Sequence, residues 1–338
     1  MNCGVPPGEE ADPTTERLPA LGTLRRAASE LWPELSFRRF RVNDVGWTFR
    51  VLDADDRIIF RFPRRRSAAE SLGFEVRLLD FLADRLSVPI PEVERIGVLE
   101  RPTGWPFLSY RKLRGSELPE FPTLAREDRV RLRDFTARLL RELAAIPSPP
   151  LRRLGCRPGD PAAWLGKYRG ILQRYDRVAA GGTAPDLDRA VRREFRAAFR
   201  MFRAARFRAV ACHMDLGPFN LLWDARAHRP TGVIDWEDLR LGDPAFDLTG
   251  LGFLGDDLLR PIARERRDPG DSSFDDRLRF YRWAAPLQEM LFAIENRRPA
   301  LLRRKRTELR RALGLPMRPP GGRVTAVGRR REVLPTPT

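Results

Sequence analysis

Four residues between positions 213 and 235 carry the side chains best suited to chemistry: His213, Asp215, Asn220 and Asp235. They lie in ACHMDLGPFNLLWDARAHRPTGVIDWED (211–238), around two apolar, β-prone runs joined by a polar stretch. NLLW (220–223), DARAHRP and TGVIDW (231–236) in that order predict a hairpin. A hairpin sets Asp215 and Asn220 just before its first strand and Asp235 at the end of its second, so the three converge at one end. Two carboxylates and an amide gathered there serve no stabilising purpose, because like charges repel and their desolvation costs free energy. Their oxygens do suit Mg2+, which takes few protein ligands and fills its shell with phosphate oxygens and water. With Asn220 and Asp235 on such an ion, Asp215 is left to accept a proton. The bland alternative is a surface loop of ordinary caps and turns, and it accounts poorly for the whole set. His228 falls in the polar turn and is expected to be exposed and without a role.

The elements that must position this hairpin come in two styles. Residues 1–22 are rich in Pro, Gly and Glu without periodicity and read as a disordered tail; residues 316–338 read as a second one. Between them, 23–113 is expected to form a small β-rich lobe. It opens with a helix over 23–32 capped by Thr23, followed by the strand-like runs FRRFRVND, WTFRVLD and RIIFRFP. A helix over Ser67 to Arg85 carries Leu72, Val76, Leu79 and Leu82 on one face, and VPIPEV leads into further strands ending at PFLSYRKLRG. Residues 114–315 are expected to be mostly helical, with 3.6-residue periodicity over 126–146, 162–177, 187–206 and 276–312. The hairpin is the one β-like island anticipated there. The expected fold class is therefore α+β, with two lobes.

Composition narrows the function classes. The formal charge is +17, but only Lys112, Lys167 and Lys305 are lysines; the other 60 of 63 basic residues are arginines spread along the chain. That is a compositional bias rather than a patch, so nucleic acid is not an expected partner. No apolar run reaches a membrane-spanning length, and no signal peptide opens the chain, so no membrane partner is expected. Three scattered cysteines, Cys3, Cys156 and Cys212, suggest neither a zinc site nor disulfides and fit a reducing, cytoplasmic setting.

The spacing HMDLGPFN (213–220), with IDW (234–236) fifteen residues on and GDPAFDL (242–248) beyond it, resembles a known family. It is similar to the catalytic loop and metal-binding Asp of the protein-kinase-like fold, and more closely to the aminoglycoside phosphotransferase family. IIFRFPRR and VPIPEV resemble the branch that phosphorylates the 2″-hydroxyl of aminoglycosides, and the resemblance spans about residues 25 to 300. It implies a bilobal kinase-like fold, ATP or GTP as phosphate donor, Mg2+, and a small hydroxylated acceptor. It implies Asp215 as catalytic base, Asn220 and Asp235 on Mg2+, and His213 supporting the loop. Asp243 and Asp247 are expected to stabilise the following loop, Asp247 as a helix cap.

The same resemblance places Arg61 in RIIFRFP as the cation for the donor phosphates, positioned by Glu75 fourteen residues on. Protein kinases carry lysine there; Arg is bulkier and bidentate, so the clamp geometry differs. No GxGxxG precedes it, and the turn RVNDVGWTF offers only Gly46 to cover phosphates. Backbone groups from Arg111 to Leu113 are the expected purine contacts at the lobe junction. Acceptor specificity is expected from 160–180 and 255–300. Glu237, Asp238, Asp256, Asp257, Glu289 and Glu295 are candidates for an acidic pocket, each weighed against a plain ion pair with a neighbouring arginine. Trp164, Tyr168, Tyr281, Trp283 and Phe292 are expected to pack in the core. A monomer or dimer is expected. The rival is a non-catalytic nucleotide-binding pseudokinase on the same fold.

Overall fold

Short alternating runs build the first sheet. In a computed structural model that describes residues 18–44, 48–100, 103–118 and 124–316, they form β1 (Phe40–Asn43), β2 (Phe49–Ala54) and β3 (Ile58–Pro63). With β4 (Val93–Val98) and β5 (Pro106–Arg111) they make an antiparallel sheet of order β1-β2-β3-β5-β4. Asp55 and Asp56 turn the chain between β2 and β3 at φ of 54° and 59°, a region that Asp enters more readily than most residues.

Helix α1 (Leu21–Leu31) contributes Leu24 and Ala28 to a core with Trp32, Phe60, Phe62 and Phe107. It starts two residues before Thr23, and Ala20 at its N-cap makes no side-chain bond, so Thr23 is not the cap. Leu18 and Leu21 pack against that core, which shortens the expected tail; residues 1–17 lie outside those described. Helix α2 (Arg66–Ala83) brings Leu72 against Phe49, Leu108 and Tyr110. Glu75, on the same apolar helix, is only 1% exposed. A carboxylate held there needs a buried partner, because desolvating an unpaired charge is costly.

The second region is mainly helical: α3 (Arg126–Ala145), α4 (Ser148–Leu154), α5 (Pro161–Val178), α6 (Pro185–Ala204), α7 (Asp256–Arg266), α8 (Phe274–Glu295) and α9 (Pro299–Ala312). The long helix expected over 276–312 is two, broken where Arg297 takes φ 51° and Pro299 restarts the chain. Trp164, Tyr168, Tyr281 and Trp283 lie in the large core of this region, as expected, with the Trp164 and Tyr168 rings 6.0 Å apart.

More β structure lies here than the hairpin alone. Strands β6 (Ser116–Glu117), β8 (Leu221–Asp224) and β9 (Arg229–Val233) form one sheet, and β7 (Val210–Cys212) pairs with β10 (Arg240–Gly242). Two- and three-residue strands are too short for alternation to reveal them. Among the described residues, no helix is long and apolar enough to cross a membrane.

Candidate active site

The predicted hairpin forms, with β8 and β9 antiparallel and one register shift between Leu222 and Trp223. The Ile234 N–H donates to the Asn220 carbonyl at 3.0 Å, which brings Asn220 beside the residue preceding Asp235. The Asn220 amide nitrogen donates to both the backbone carbonyl and Oδ2 of Asp215, each at 2.8 Å. The side chain is thereby oriented, because its nitrogen is committed to Asp215.

Three further groups hold this loop. The Asp247 carboxylate accepts the backbone N–H of His213 at 3.0 Å and of Met214 at 2.9 Å. Met214 sits at φ 76°, a strained conformation for a long side chain, and the two bonds to one carboxylate help maintain it. Asp247 is therefore not the helix cap expected of it; no side-chain cap bond occurs at the short 3-10 turn over 246–248. His213 is fully buried, and burial lowers its pKa, so the ring is neutral. Nε2 then donates to the Ile234 carbonyl at 3.1 Å and Nδ1 accepts the Asp215 N–H at 3.3 Å, tying the loop to the hairpin. Finally, a Cβ on Gly250 would lie 2.2 Å from the Leu216 carbonyl, so only glycine permits the 249–252 segment to close on the loop.

Asp215 itself is buried. Desolvation pushes its pKa from 3.8 up to about 8, and the neighbouring charges of Asp235 and Asp238 push the same way. Hydrogen bonding from Asn220 opposes them.

Arg61 and Glu75 meet as an ion pair, both buried. The second guanidinium nitrogen reaches Asp235 Oδ1 at 3.0 Å and Glu237 Oε2 at 3.2 Å, and the Phe49 ring lies 4.2 Å from the guanidinium carbon. Burial raises the pKa of Glu75, Glu237 and Asp238, and mutual repulsion adds to it. One guanidinium cannot neutralise this many carboxylates, so the cluster is poised to take up a further cation or proton. Glu75 Oε2 has no hydrogen-bond partner among the described residues. Sequence reasoning missed Glu237 as a member; it lies in the turn after β9, beyond Asp235 at φ 68° and the fully buried Trp236, and no local pattern announces it.

The donor set fits Mg2+. Asn220 keeps its amide oxygen for an ion because its nitrogen is spent on Asp215, and Asp235, 29% exposed, gives only Oδ1 to Arg61. Among the described residues no group of three or more His, Cys, Asp or Glu could hold a metal. Gly46 lies outside the described residues. At the junction, Arg111 ends β5 opposite Ile58, and its side chain pairs with Glu94 at 3.0 Å. The Lys112 N–H is already spent on the Arg57 carbonyl at 2.8 Å, so it is not open to a purine.

A cavity of about 750 Å³ opens beside Asp215, walled by residues 214–219, 246–253, 282–289 and 308–312. It is therefore not built from 160–180, where Trp164 and Tyr168 are core residues. Phe219, Phe253 and the α9 residues Glu308 and Arg311 were missed, because nothing in their spacing separates a pocket wall from a solvated helix face. All six carboxylates considered for an acidic pocket have basic partners. Glu237 pairs with Arg61, Asp238 with Arg240 at 3.3 Å, Asp256 with Arg282 at 3.8 Å and Asp257 with Arg126 at 2.8 Å. Glu289 pairs with Lys305 at 2.8 Å, and Glu295 with Arg174. His228 is exposed as expected but not idle, since its Nδ1 lies 3.1 Å from Asp128 Oδ2.

A five-stranded sheet with an Arg–Glu pair, set against a helical region whose hairpin presents Asp, Asn and Asp, defines the kinase-like class. The model of the phosphotransferase enzyme family matches residues 35–283, and the chain belongs to that family. Among solved structures, the chain is similar to the GDP and kanamycin complex of APH(2")-IIia, with TM-score 0.77, 21% identity, and coverage of 86% of this chain and 98% of that one. Macrolide 2'-phosphotransferase type I superposes with TM-score 0.63 at 20% identity, covering 87% and 98%. At these identities the likeness establishes the fold. Viomycin phosphotransferase of Streptomyces vinaceus is 33% identical over 88 residues, which is 25% of this chain and 30% of that relative's length.

Proposed function

We propose that the chain transfers the γ-phosphate of ATP or GTP to a hydroxyl of a small molecule. The observation that carries this reading is the convergence of Asp215, Asn220 and Asp235 at one end of the hairpin, next to the Arg61–Glu75 pair. The likeness to enzymes solved with GDP, kanamycin or ATP supports a nucleotide donor and a hydroxylated acceptor.

Each residue then has a task. Arg61, aligned by Glu75, clamps the donor phosphates, with Arg111 and Leu113 backbone groups available to the purine and Gly46 to the phosphate-covering turn. Asn220 and Asp235 hold Mg2+, which supplies charge neutralisation on the phosphates when bound. Asp215 orients the acceptor hydroxyl and takes its proton as the oxygen attacks phosphorus and the bond to the β–γ bridging oxygen breaks. Catalysis is mostly positioning and charge stabilisation, so the rigidity of the loop matters. His213 positions that loop through its two ring nitrogens and does not touch substrate. Two buried free thiols, Cys156 and Cys212, suit a reducing, cytoplasmic setting.

One observation favours the pseudokinase reading. The Arg61 guanidinium is already engaged by Glu75, Asp235 and Glu237, so it must exchange carboxylate partners for phosphate oxygens before it can act. Turnover separates the two. Purified protein with Mg2+ and ATP or GTP is assayed for acceptor-stimulated ADP or GDP release across hydroxylated acceptors, beside Asp215→Asn. The substitution is expected to cut turnover by roughly 10²–10⁴-fold with nucleotide affinity retained. Nucleotide binding without turnover on any acceptor would favour the pseudokinase.

A further inference from the structure

We infer that the acceptor taken by this site is a neutral or singly charged alcohol with a broad apolar face, not a polycation. This rests on the phosphotransferase reading and assigns the acceptor class for the cavity beside Asp215. Its volume, about 750 Å³, is in the upper part of the range for small-molecule sites.

The charge pattern is the first observation. A polycationic acceptor needs several desolvated carboxylates left unpaired by the protein, because each buried ammonium must be compensated. Asp215 faces the reacting hydroxyl, and the other three carboxylates that line the cavity have partners within the protein. Asp247 gives both oxygens to backbone amides of the loop. Glu289 and Glu308 both bind Lys305, 1% exposed behind the wall, each at 2.8 Å. Two more cations line the same cavity, Arg311 and Arg282, the latter paired with Asp256 at 3.8 Å, and Arg311 repels a cationic ligand.

Apolar surface is the second observation. Phe219 belongs to the catalytic loop itself, one residue before Asn220, and is 51% exposed while lining the cavity. A large exposed aromatic beside the reacting hydroxyl is a platform for an apolar body. Leu216, Phe246 and Ala285 continue that surface.

The third observation is sparse polar anchoring. Among the described residues Glu289 Oε1 is buried and has no hydrogen-bond partner, although Oε2 is held by Lys305. The Thr249 hydroxyl, also on the cavity, is likewise without one. A few well-placed polar groups in an apolar wall give orientation without demanding charge.

Calorimetric titration of the full chain, loaded with Mg2+ and a non-hydrolysable ATP or GTP analogue, tests this with two kinds of probe. One is kanamycin, a polycation; the other is a pair of neutral alcohols of this size, a macrolactone aglycone and a steroid triol. At least one neutral probe is expected to bind, with a negative heat-capacity change and little dependence on salt. Phe219→Ala should weaken it roughly tenfold, about 1.4 kcal/mol, while nucleotide affinity is unchanged. Arg311→Ala, at an exposed position, should leave the neutral probe unaffected and strengthen kanamycin. Kanamycin binding more tightly than either neutral probe, with affinity falling as salt rises, overturns the inference. So does the failure of both neutral probes on protein that binds the nucleotide analogue. Absence of nucleotide binding strikes the phosphotransferase reading itself, and the acceptor class falls with it.

Discussion

Among the described residues two buried arginines, Arg61 and Arg277, each face more than one carboxylate, and they differ in how completely they are satisfied. Arg277 on α8 is fully buried. It bonds Asp243 at 2.5 and 3.1 Å and Asp271 at 2.8 and 2.7 Å, and Tyr281 donates to Asp243 at 2.5 Å. One guanidinium fork there faces two carboxylates whose remaining lone pairs are bonded nearby, including Asp243 to the Ala245 N–H at 2.9 Å and Asp271 to Ser273. Arg61 on β3 faces three carboxylates, leaves Glu75 Oε2 unpaired, and borders the partly exposed Asp235. The first cluster is closed and its carboxylates are held by hydrogen bonds throughout, hence structural. The second carries surplus negative charge on its open side, which costs stability and is retained where a ligand cation and phosphates complete it.

Substitution should separate the two sharply. Arg277→Met leaves Asp243 and Asp271 buried without a counter-charge, a loss of about 3–5 kcal/mol, so thermal denaturation should show a melting temperature lower by on the order of 10 °C. Arg61→Met removes a cation from a cluster that can relax by taking up a proton, since burial and repulsion already raise the Glu75 and Glu237 pKa values. Its melting temperature should fall by less than half as much. Phosphoryl transfer should fall by roughly 10²-fold, the scale of losing one positioned charge from a transition state. Equal destabilisation by the two substitutions, with Arg61→Met still active, would erase the distinction. Arg61→Lys should recover part of the rate but not all, because a point charge replaces a bidentate fork.

The two clusters also mark what the sequence could and could not convey. The placement of Arg61, Glu75, Asp215, Asn220 and Asp235 was legible because the resembled pattern ties such residues to strand, helix and hairpin positions at fixed spacing. Asp243 and Asp247 stood out in GDPAFDL, but the task of Asp247 did not: it caps no helix and braces the strained Met214 instead. Arg277 and Asp271 were invisible, since in a chain with 60 arginines one more on a helix carries no signal. The helical lobe was read as a set of periodic segments, and the strands over 116–117, 210–212 and 240–242 escaped because pairing across long separations, not local alternation, creates them. The position of the cavity among the helices escaped for the same reason. Which helix faces Asp215 is decided by packing of α8 and α9 onto the 246–253 segment, and periodicity says only that a face is apolar.

The smallest expected effect concerns the open side of the site and its dependence on pH. Asp215 has a pKa of about 8 in the fold against 3.8 ordinarily, so between these values the folded state binds a proton that the unfolded chain has released. Stability contributed by neutral Asp215 is full below about 4 and is lost as pH rises through about 8. Glu75, Glu237 and Asp238 shift upward too and tilt the curve in the same direction. Melting temperature should therefore decline from pH 5 to pH 9, and Asp215→Asn, which cannot ionise, should flatten that decline. Since only the ionised carboxylate accepts the hydroxyl proton, kcat/KM of the native chain should rise over the same interval in which its stability falls. A variant that melts along the same curve as the native chain would mean that Asp215 is already ionised at neutral pH. The opposition between a stable, protonated loop and an active, ionised one would then disappear.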